Sequence, residues 1–280
     1  MRKPGCLDRE AHMILSSREL ALRLETADAL NQVEFARAYN EFHRSSEGAY
    51  KKINTGHAVF VGVDSPLTQA FGLGLGGPVT DAELTELEEF FRQRGAPANV
   101  ETSHLADMSL TRMFMDRGYR VSEYSDVLAK SLEERDSLGT SFGNDIREIG
   151  PEEADTFAAV VTEGFVEGGP IPASLADLLK VFFRQSNCAC FGAFRGGKPA
   201  GGGAVFIKEG VALLAGASTL PSYRNLGVQT DLLKARIDFA ARAGCDLAAV
   251  TTAPGSVSQR NTQKRGFNIV YSRTKYTLEW

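Results

Sequence analysis

The chain has 280 residues, is 43% hydrophobic and 24% charged, and carries a net charge of -4. That length suits roughly two domains of ordinary globular composition. No apolar run approaches the ~20 residues that span a bilayer, and the acidic balance argues against a general nucleic-acid binder. The opening MRKPGCLDREAHM has positive charge with no apolar stretch behind it, so a cytoplasmic location without a secretory leader is expected. Cys6, Cys188, Cys190 and Cys245 form no disulfide or zinc pattern, and His12, His43, His57 and His104 lack metal-ligand spacing. No metal is expected.

In chain order, HAVFVGV (57–63) and LTQAFGLGL (67–75) read as strands, and 81–94 as a helix closed by Gly95. ANVETSHL reads as a strand, SLTRMFMDRG as a helix and RVSEYSDVLAK as a strand. Residues 132–145 are polar and turn-rich, the composition of a linker. Then come a strand and a helix begun near Pro151, a helix over 173–186, and three strands joined by Gly-rich turns. CACFGAF, the first of these strands, places Cys188 and Cys190 on one face as small buried residues. A helix over 227–242, the buried strand DLAAVTT, a short helix over 258–264 and a final strand pair, FNIVYSR and KYTLEW, complete the chain.

The two halves repeat. Leu84, Phe90 and Gly95 return as Leu233, Phe239 and Gly244, each 149 positions later. Arg117, Gly118 and Tyr119 return as Arg265, Gly266 and Phe267, 148 positions later. A unit this long is a whole domain. The expected division is a first domain over 1–138 and a second over 144–280. Charge divides too: 211–280 holds nine Lys/Arg and four Asp/Glu, whereas 80–136 holds seven and thirteen.

Each repeat has a long helix, and its entrance decides what the repeat can bind. The first turn of a helix leaves about four backbone N–H groups free, and its dipole favours an anion there. In YRNLGVQT, Arg224 brings a cationic fork, Gly227 bares the backbone and Thr230 adds a hydroxyl. In FGLGLGGPVTD, Gly72, Gly74 and Gly77 satisfy a G-x-G-x-x-G pattern. There, however, Pro78 lacks an N–H, and Thr80 to Glu83 read as a capping box that uses the remaining donors. Asp81 and Glu83 would repel an anion. No acid ends a strand about 20 residues further on, as a dinucleotide fold requires. These glycines are therefore expected to serve turns and packing.

At YRNLGVQ the chain resembles the GNAT superfamily of N-acetyltransferases, which carry [Q/R]-x-x-G-x-[G/A] at this helix start. Arg224 and Gly227 match, and Gln229 stands where Gly or Ala is usual. The context matches over about 140 residues: a strand ending in Thr219-Leu220-Pro221, the motif, a helix, a buried strand, Ser-Gln-Arg-Asn, then Gly266-Phe267. The resemblance implies an α/β (α+β) fold of two tandem GNAT-like domains. Each would be a mixed, mostly antiparallel twisted sheet flanked by helices, and the first would have lost its cofactor loop.

The resemblance also implies acetyl-CoA, or another acyl-CoA, as cofactor. The diphosphate would lie on Asn225, Leu226, Gly227, Val228, Gln229 and Thr230, with Arg224 beside it. The pantetheine arm would pair near Thr219 and Leu220, and Asn261 would contact it. An N–H near Leu220 is the expected oxyanion donor. The family's tyrosine, which protonates the departing thiolate, is Thr262 here, so Tyr271 is the substitute candidate. Glu163 and Glu167, at i,i+4 spacing, are the candidate bases. The implied activity is acyl transfer to an amine of a small molecule or protein, with no nucleic acid or membrane partner and a homodimer left open. An acyl-CoA-binding sensor or scaffold is the alternative, favoured by the missing tyrosine. Use of aminoacyl-tRNA as donor is disfavoured by the acidic chain and the diphosphate-type loop.

Overall fold

The computed structural model describes residues 14–44, 47–133, 136, 143–166 and 173–280. Cys6, His12, Glu167 and most of the turn-rich stretch 132–145 lie outside the described residues. Eleven strands form one sheet: β1 (Ala49–Ile53), β2 (Gly56–Phe60), β3 (Gln69–Phe71), β4 (Ala98–Ser103), β5 (Arg120–Ser131), β6 (Asp145–Ile149), β7 (Cys188–Arg195), β8 (Lys198–Lys208), β9 (Val211–Thr219), β10 (Leu247–Thr252) and β11 (Asn268–Leu278). The helices are α1 (Arg18–His43), α2 (Asp81–Arg92), α3 (Met108–Asp116), α4 (Ala154–Val166), α5 (Ala173–Val181), α6 (Val228–Arg242) and α7 (Val257–Gln263).

The strand order is β1-β2-β3-β4-β11-β5-β10-β9-β8-β7-β6, and most neighbours are antiparallel. Only β3–β4 and β9–β10 run parallel. Matching elements keep the sequence period: β4 starts at Ala98 and β10 at Leu247, α3 at Met108 and α7 at Val257, each 149 positions apart. The last strands of the two repeats are exchanged. β11 does not lie beside β10 but between β4 and β5, and β5 separates it from β10.

Alternation along the strands sorts the core onto two faces. Ala58, Phe60, Ala70 and Val100 pack under Leu84, Leu87 and Phe91 of α2. Val205, Leu214 and Ala248 pack under Leu232 and Leu233 of α6 on the same side. The opposite face carries α1, α4 and α5. There Leu24 and Ala27 of α1 meet Val127, Val211, Leu247 and Ala249, while Phe35 and Ala36 meet Val59, Leu178 and Val181. A single helix thus covers strands of both repeats.

Two expectations are corrected here. The final strand pair is one strand, β11, with register shifts between Ile269 and Tyr271 and between Lys275 and Tyr276. α1 and β1 were not foreseen from the sequence. Cys188 and Cys190 do share a face of β7, with their sulfurs 3.9 Å apart. No helix among the described residues is long and apolar enough to cross a membrane.

Candidate functional site

The sheet opens at one place. β10 pairs with β9 only through Leu247, Ala248 and Ala249, opposite Val211, Ala212 and Leu213. Beyond them Val250, Thr251 and Thr252 continue to pair with β5 alone. β9 carries on beside β8, but with a bulge: Gly216 and Ala217 stand opposite Gly203 alone. A bulge leaves one residue out of the ladder and bends the strand. Gly216 has φ +56, and a Cβ there would meet the Phe182 ring at 2.7 Å, so only glycine fits.

On the α6 face, the opening leads to the helix entrance. Gly227 is the N-cap of α6 with φ +79, and no side chain caps the helix. Asp231 N–H is the first to reach an intrahelical carbonyl, that of Gly227 at 3.0 Å, so the N–H groups ahead of it point out of the helix. Asp231 itself is turned away. Its Oδ2 accepts from Gly143 N, Asn144 N and Asn144 Nδ2 at 2.8–3.1 Å, which engages this carboxylate away from the entrance. Arg224 donates from Nη2 to Gly164 O at 3.1 Å and from Nε to Thr219 O at 3.4 Å, tying the loop to α4 and to the end of β9.

A cavity of about 530 Å³ runs along this loop, lined among others by Thr219, Arg224, Asn225, Gly227, Val228, Gln229, Thr230 and Asn261. It adjoins a smaller one of about 150 Å³ lined by Ala215, Gly216, Gln229, Thr251, Asn261, Thr262 and Arg265. Apart from Leu220 and Leu226, the expected cofactor residues therefore line one groove. The uncapped helix start and the bare backbone at Gly227 fit the diphosphate of an acyl-CoA, and no carboxylate lines the groove among the described residues.

The first repeat closes the same place. Thr80 N–H donates to Glu83 Oε2 at 2.8 Å, and Thr80 Oγ1 accepts from Glu83 N–H at 3.2 Å, completing the capping box. Gly72, Gly74 and Gly77 all have positive φ and serve turns.

One candidate site residue escaped notice although the repeat marks it. Arg117 in the first repeat pairs with Asp81 and with Glu88, the latter at 2.8 Å. Its counterpart Arg265 donates to Thr230 Oγ1 at 3.0 Å and has no carboxylate partner among the described residues. Thr230 occupies the position that Asp81 holds in the first repeat. Replacing an acid by a hydroxyl leaves the arginine's charge available to an anion at the α6 entrance. Arg265→Ala is expected to weaken acetyl-CoA binding about fivefold, the scale of an exposed ion pair, and more at low salt. Arg117→Ala should leave that affinity unchanged and lower stability by about 1–3 kcal/mol, because Glu88 loses its partner. Titration calorimetry at two salt concentrations, with thermal melts, reads both.

Three expected roles are corrected. Leu220 N–H donates to Ala200 O at 3.0 Å, so it is spent and cannot serve an oxyanion. Tyr271 is 2% exposed and donates its hydroxyl to Glu25 at 2.7 Å, within the contacts between α1 and the sheet. Burial first, and then the carboxylates of Glu25 and Asp28, push its ionisation far above the usual tyrosine range. Packed with α1 and absent from the lining of both groove cavities, its hydroxyl does not face a thiolate there. Glu163 is exposed on α4 and lines neither groove cavity; its neighbours Gly164 and Phe165 do. Thr262 lines the smaller cavity, with its hydroxyl donated to Ser258 O at 2.9 Å.

On the α1 face, the opening leads to a third cavity of about 320 Å³. It shares Leu214, Ala215, Gly216, Val250 and Thr251 with the smaller groove cavity. The bulge therefore lies where spaces from the two faces of the sheet meet. A larger depression of about 730 Å³ beside β1 and α2 is lined by the exposed Lys51–Glu86 pair and lies far from the opening. Arg236, 2% exposed, stands beside the bulge, donating to Ala204 O and Ala215 O at 3.1 and 3.4 Å. Burial lowers its pKa to about 10. No group of three or more metal-binding side chains occurs among the described residues.

The parallel pair β9–β10 is splayed beside the uncapped start of α6, whereas the matching helix start of the first repeat, that of α2, is capped. Residues 157–267 match the acetyltransferase (GNAT) family, and the chain carries a GNAT acetyltransferase domain there. Among solved structures, it is similar to a GCN5-related N-acetyltransferase from Kribbella flavida, with TM-score 0.68 and 18% identity over 93% of this chain and 96% of that one. It is similar to a tandem GNAT protein from the clavulanic acid biosynthesis pathway, with TM-score 0.56 and 14% identity over 83% of each chain. A GCN5-related N-acetyltransferase from Sphaerobacter thermophilus gives TM-score 0.53 and 16% identity over 75% of this chain and 71% of that one. No curated protein matches the chain in sequence.

Proposed function

We propose that the chain is an acyl-CoA-dependent N-acyltransferase, with acetyl-CoA or another acyl-CoA as donor and an amine as acceptor. The observation that carries this reading is the splay of β9 from β10 at the bulge. An anion-ready groove on one face and a separate cavity on the other share Leu214, Ala215, Gly216, Val250 and Thr251 there. Two reactants can thus approach one point from opposite sides.

Bound acyl-CoA supplies a thioester carbonyl already activated toward amines. The free N–H groups at the start of α6, bared by Gly227 and supported by Arg265, would hold its diphosphate. Beyond Leu213 the edge of β9 facing β10 has no strand partner, so its backbone is open to the amides of the pantetheine arm. The residue that the bulge takes out of the ladder, Gly216 or Ala217, replaces Leu220 as the oxyanion donor. Holding acceptor and donor at one point can supply ~7–11 kcal/mol of the barrier without a dedicated base.

The sensor reading keeps one observation in its favour. Tyr271 is withdrawn into the core and the Thr262 hydroxyl is committed to Ser258, so neither is positioned to protonate a departing thiolate. A panel of amines assayed for release of free CoA thiol separates the two readings. An enzyme shows amine-dependent thiol release; binding of acetyl-CoA with no release for any amine establishes the sensor.

A further inference from the structure

The α1-face cavity has a chemical gradient that names its ligand. Near the opening its wall is aromatic and aliphatic: Phe35, Phe182, Phe206 and Leu214. Its far end is polar and is built by the first repeat, with Asp28 of α1, Gln69 of β3 and Glu101 of β4 grouped around Arg273 of β11.

The charges there do not balance. Arg273, 3% exposed, reaches three carboxylates: Glu25, Asp28 at 2.9 Å and Glu101 at 3.5 Å. Burial raises the pKa of Glu25, opposing the pull of Arg273. Even with Glu25 neutral, Asp28 and Glu101 together exceed the single guanidinium by one negative charge. Gln69 is an independent sign of a missing ligand. It lines the same cavity, is 7% exposed, and its Oε1 has no hydrogen-bond partner. Its Nε2 donates to Glu101 at 3.4 Å, so the unpartnered oxygen sits beside a carboxylate and wants a donor that carries positive charge.

Strand spacing sets the distance. Glu101 on β4 is three strands from β10 through β11 and β5, and Arg273, which Asp28 contacts, is two strands away. At ~4.8 Å per strand this places the acidic end about 10–14 Å from the opening.

We propose that this cavity selects an aliphatic diamine or polyamine: one nitrogen is presented at the opening for acylation, and a second is held as ammonium by Asp28, Glu101 and Gln69. This rests on the acyltransferase reading and deepens it, because it makes the first repeat the specificity element. In the step, the neutral amine nitrogen forms the new bond to the acyl carbon while the carbon–sulfur bond breaks. CoA leaves as thiolate and the amine proton passes to solvent. The distant ammonium is unchanged.

The test uses the full chain with diaminooctane and octylamine as matched acceptors. Wild-type protein should favour the diamine in kcat/KM by about 30-fold, the scale of hydrogen bonds between charged groups. Asp28→Asn with Glu101→Gln should remove that preference by raising KM for the diamine, leaving the acetyl-CoA Kd unchanged. Should that pair destabilise Arg273, Gln32→Lys at the cavity wall should reduce the preference without altering the core. Calorimetric binding of diaminooctane to the protein with CoA gives a readout free of turnover. Equal use of both amines, an intact preference in the variants, or no diamine binding overturns the proposal. Failure of wild-type protein to bind acetyl-CoA instead overturns the donor reading.

Discussion

Gly227→Glu is expected to raise the Kd for acetyl-CoA at least about 100-fold, with the fold retained. Two effects act at this position, and they separate. Gly227 has φ +79, so any side chain costs about 1–2 kcal/mol of backbone strain. Space is not the obstacle, since a Cβ would find only Asn144 Nδ2, at 3.8 Å. The larger effect is electrostatic. A carboxylate at the N-cap can take the α6 N–H groups for itself and stands where the diphosphate must sit. Gly227→Ala measures strain alone and Gly227→Asn adds a capping group without charge, so the affinities should fall in the order Gly, Ala, Asn, Glu. Calorimetry with thermal melts checks this. Unchanged affinity in Gly227→Glu would remove the α6 entrance as the donor site.

Features set by neighbouring residues were legible in the sequence. The capping box at Thr80 and the bare entrance at Gly227 depend on four or five consecutive residues and appear in the structure as read. The repeat was legible because α2 and α6 kept the same core positions, such as Leu84 and Leu233. α1 was not, because its buried side includes Glu25 and Asn31, which break the apolar stripe that marks a helix. The bulge had left a signal, an isolated glycine inside the strand pattern VALLAGAST, but which residue it frees depends on the register with β8. Tyr271 was misplaced for a related reason: which side of β11 it faces is decided by the bulge between Ile269 and Tyr271. The carboxylates of the acceptor cavity come from α1 and β4 and meet only through β11. No spacing in the sequence announces such a meeting.

The exchange of β5 and β11 leads to the prediction with the widest consequence. Dividing the chain within residues 137–142 should leave neither part folded alone, whereas refolding the two together should restore acetyl-CoA binding. The second part would lose β5, which pairs with β10 from Leu247 to Thr252, and α1, which covers Val211, Leu247 and Ala249. β10 would become a long apolar edge, the kind that aggregates. The first part would lose β11 from between β4 and β5, opening a gap in the middle of its sheet. Val127 and Leu128, fully buried from β5, are each worth about 1.5–3 kcal/mol. With the lost ladders added, the deficit is comparable with the ~5–15 kcal/mol that holds a typical protein together. A competing arrangement is available, because β11 could swing onto the vacant edge of β10, as in the reversal of a domain swap. A separate C-terminal part that melts cooperatively as a monomer and binds acetyl-CoA with full affinity would mean that this closure succeeds. Circular dichroism melts and calorimetry on each part, alone and recombined, decide between the two. Reconstitution would show that the last strand of the first repeat completes the sheet of the second.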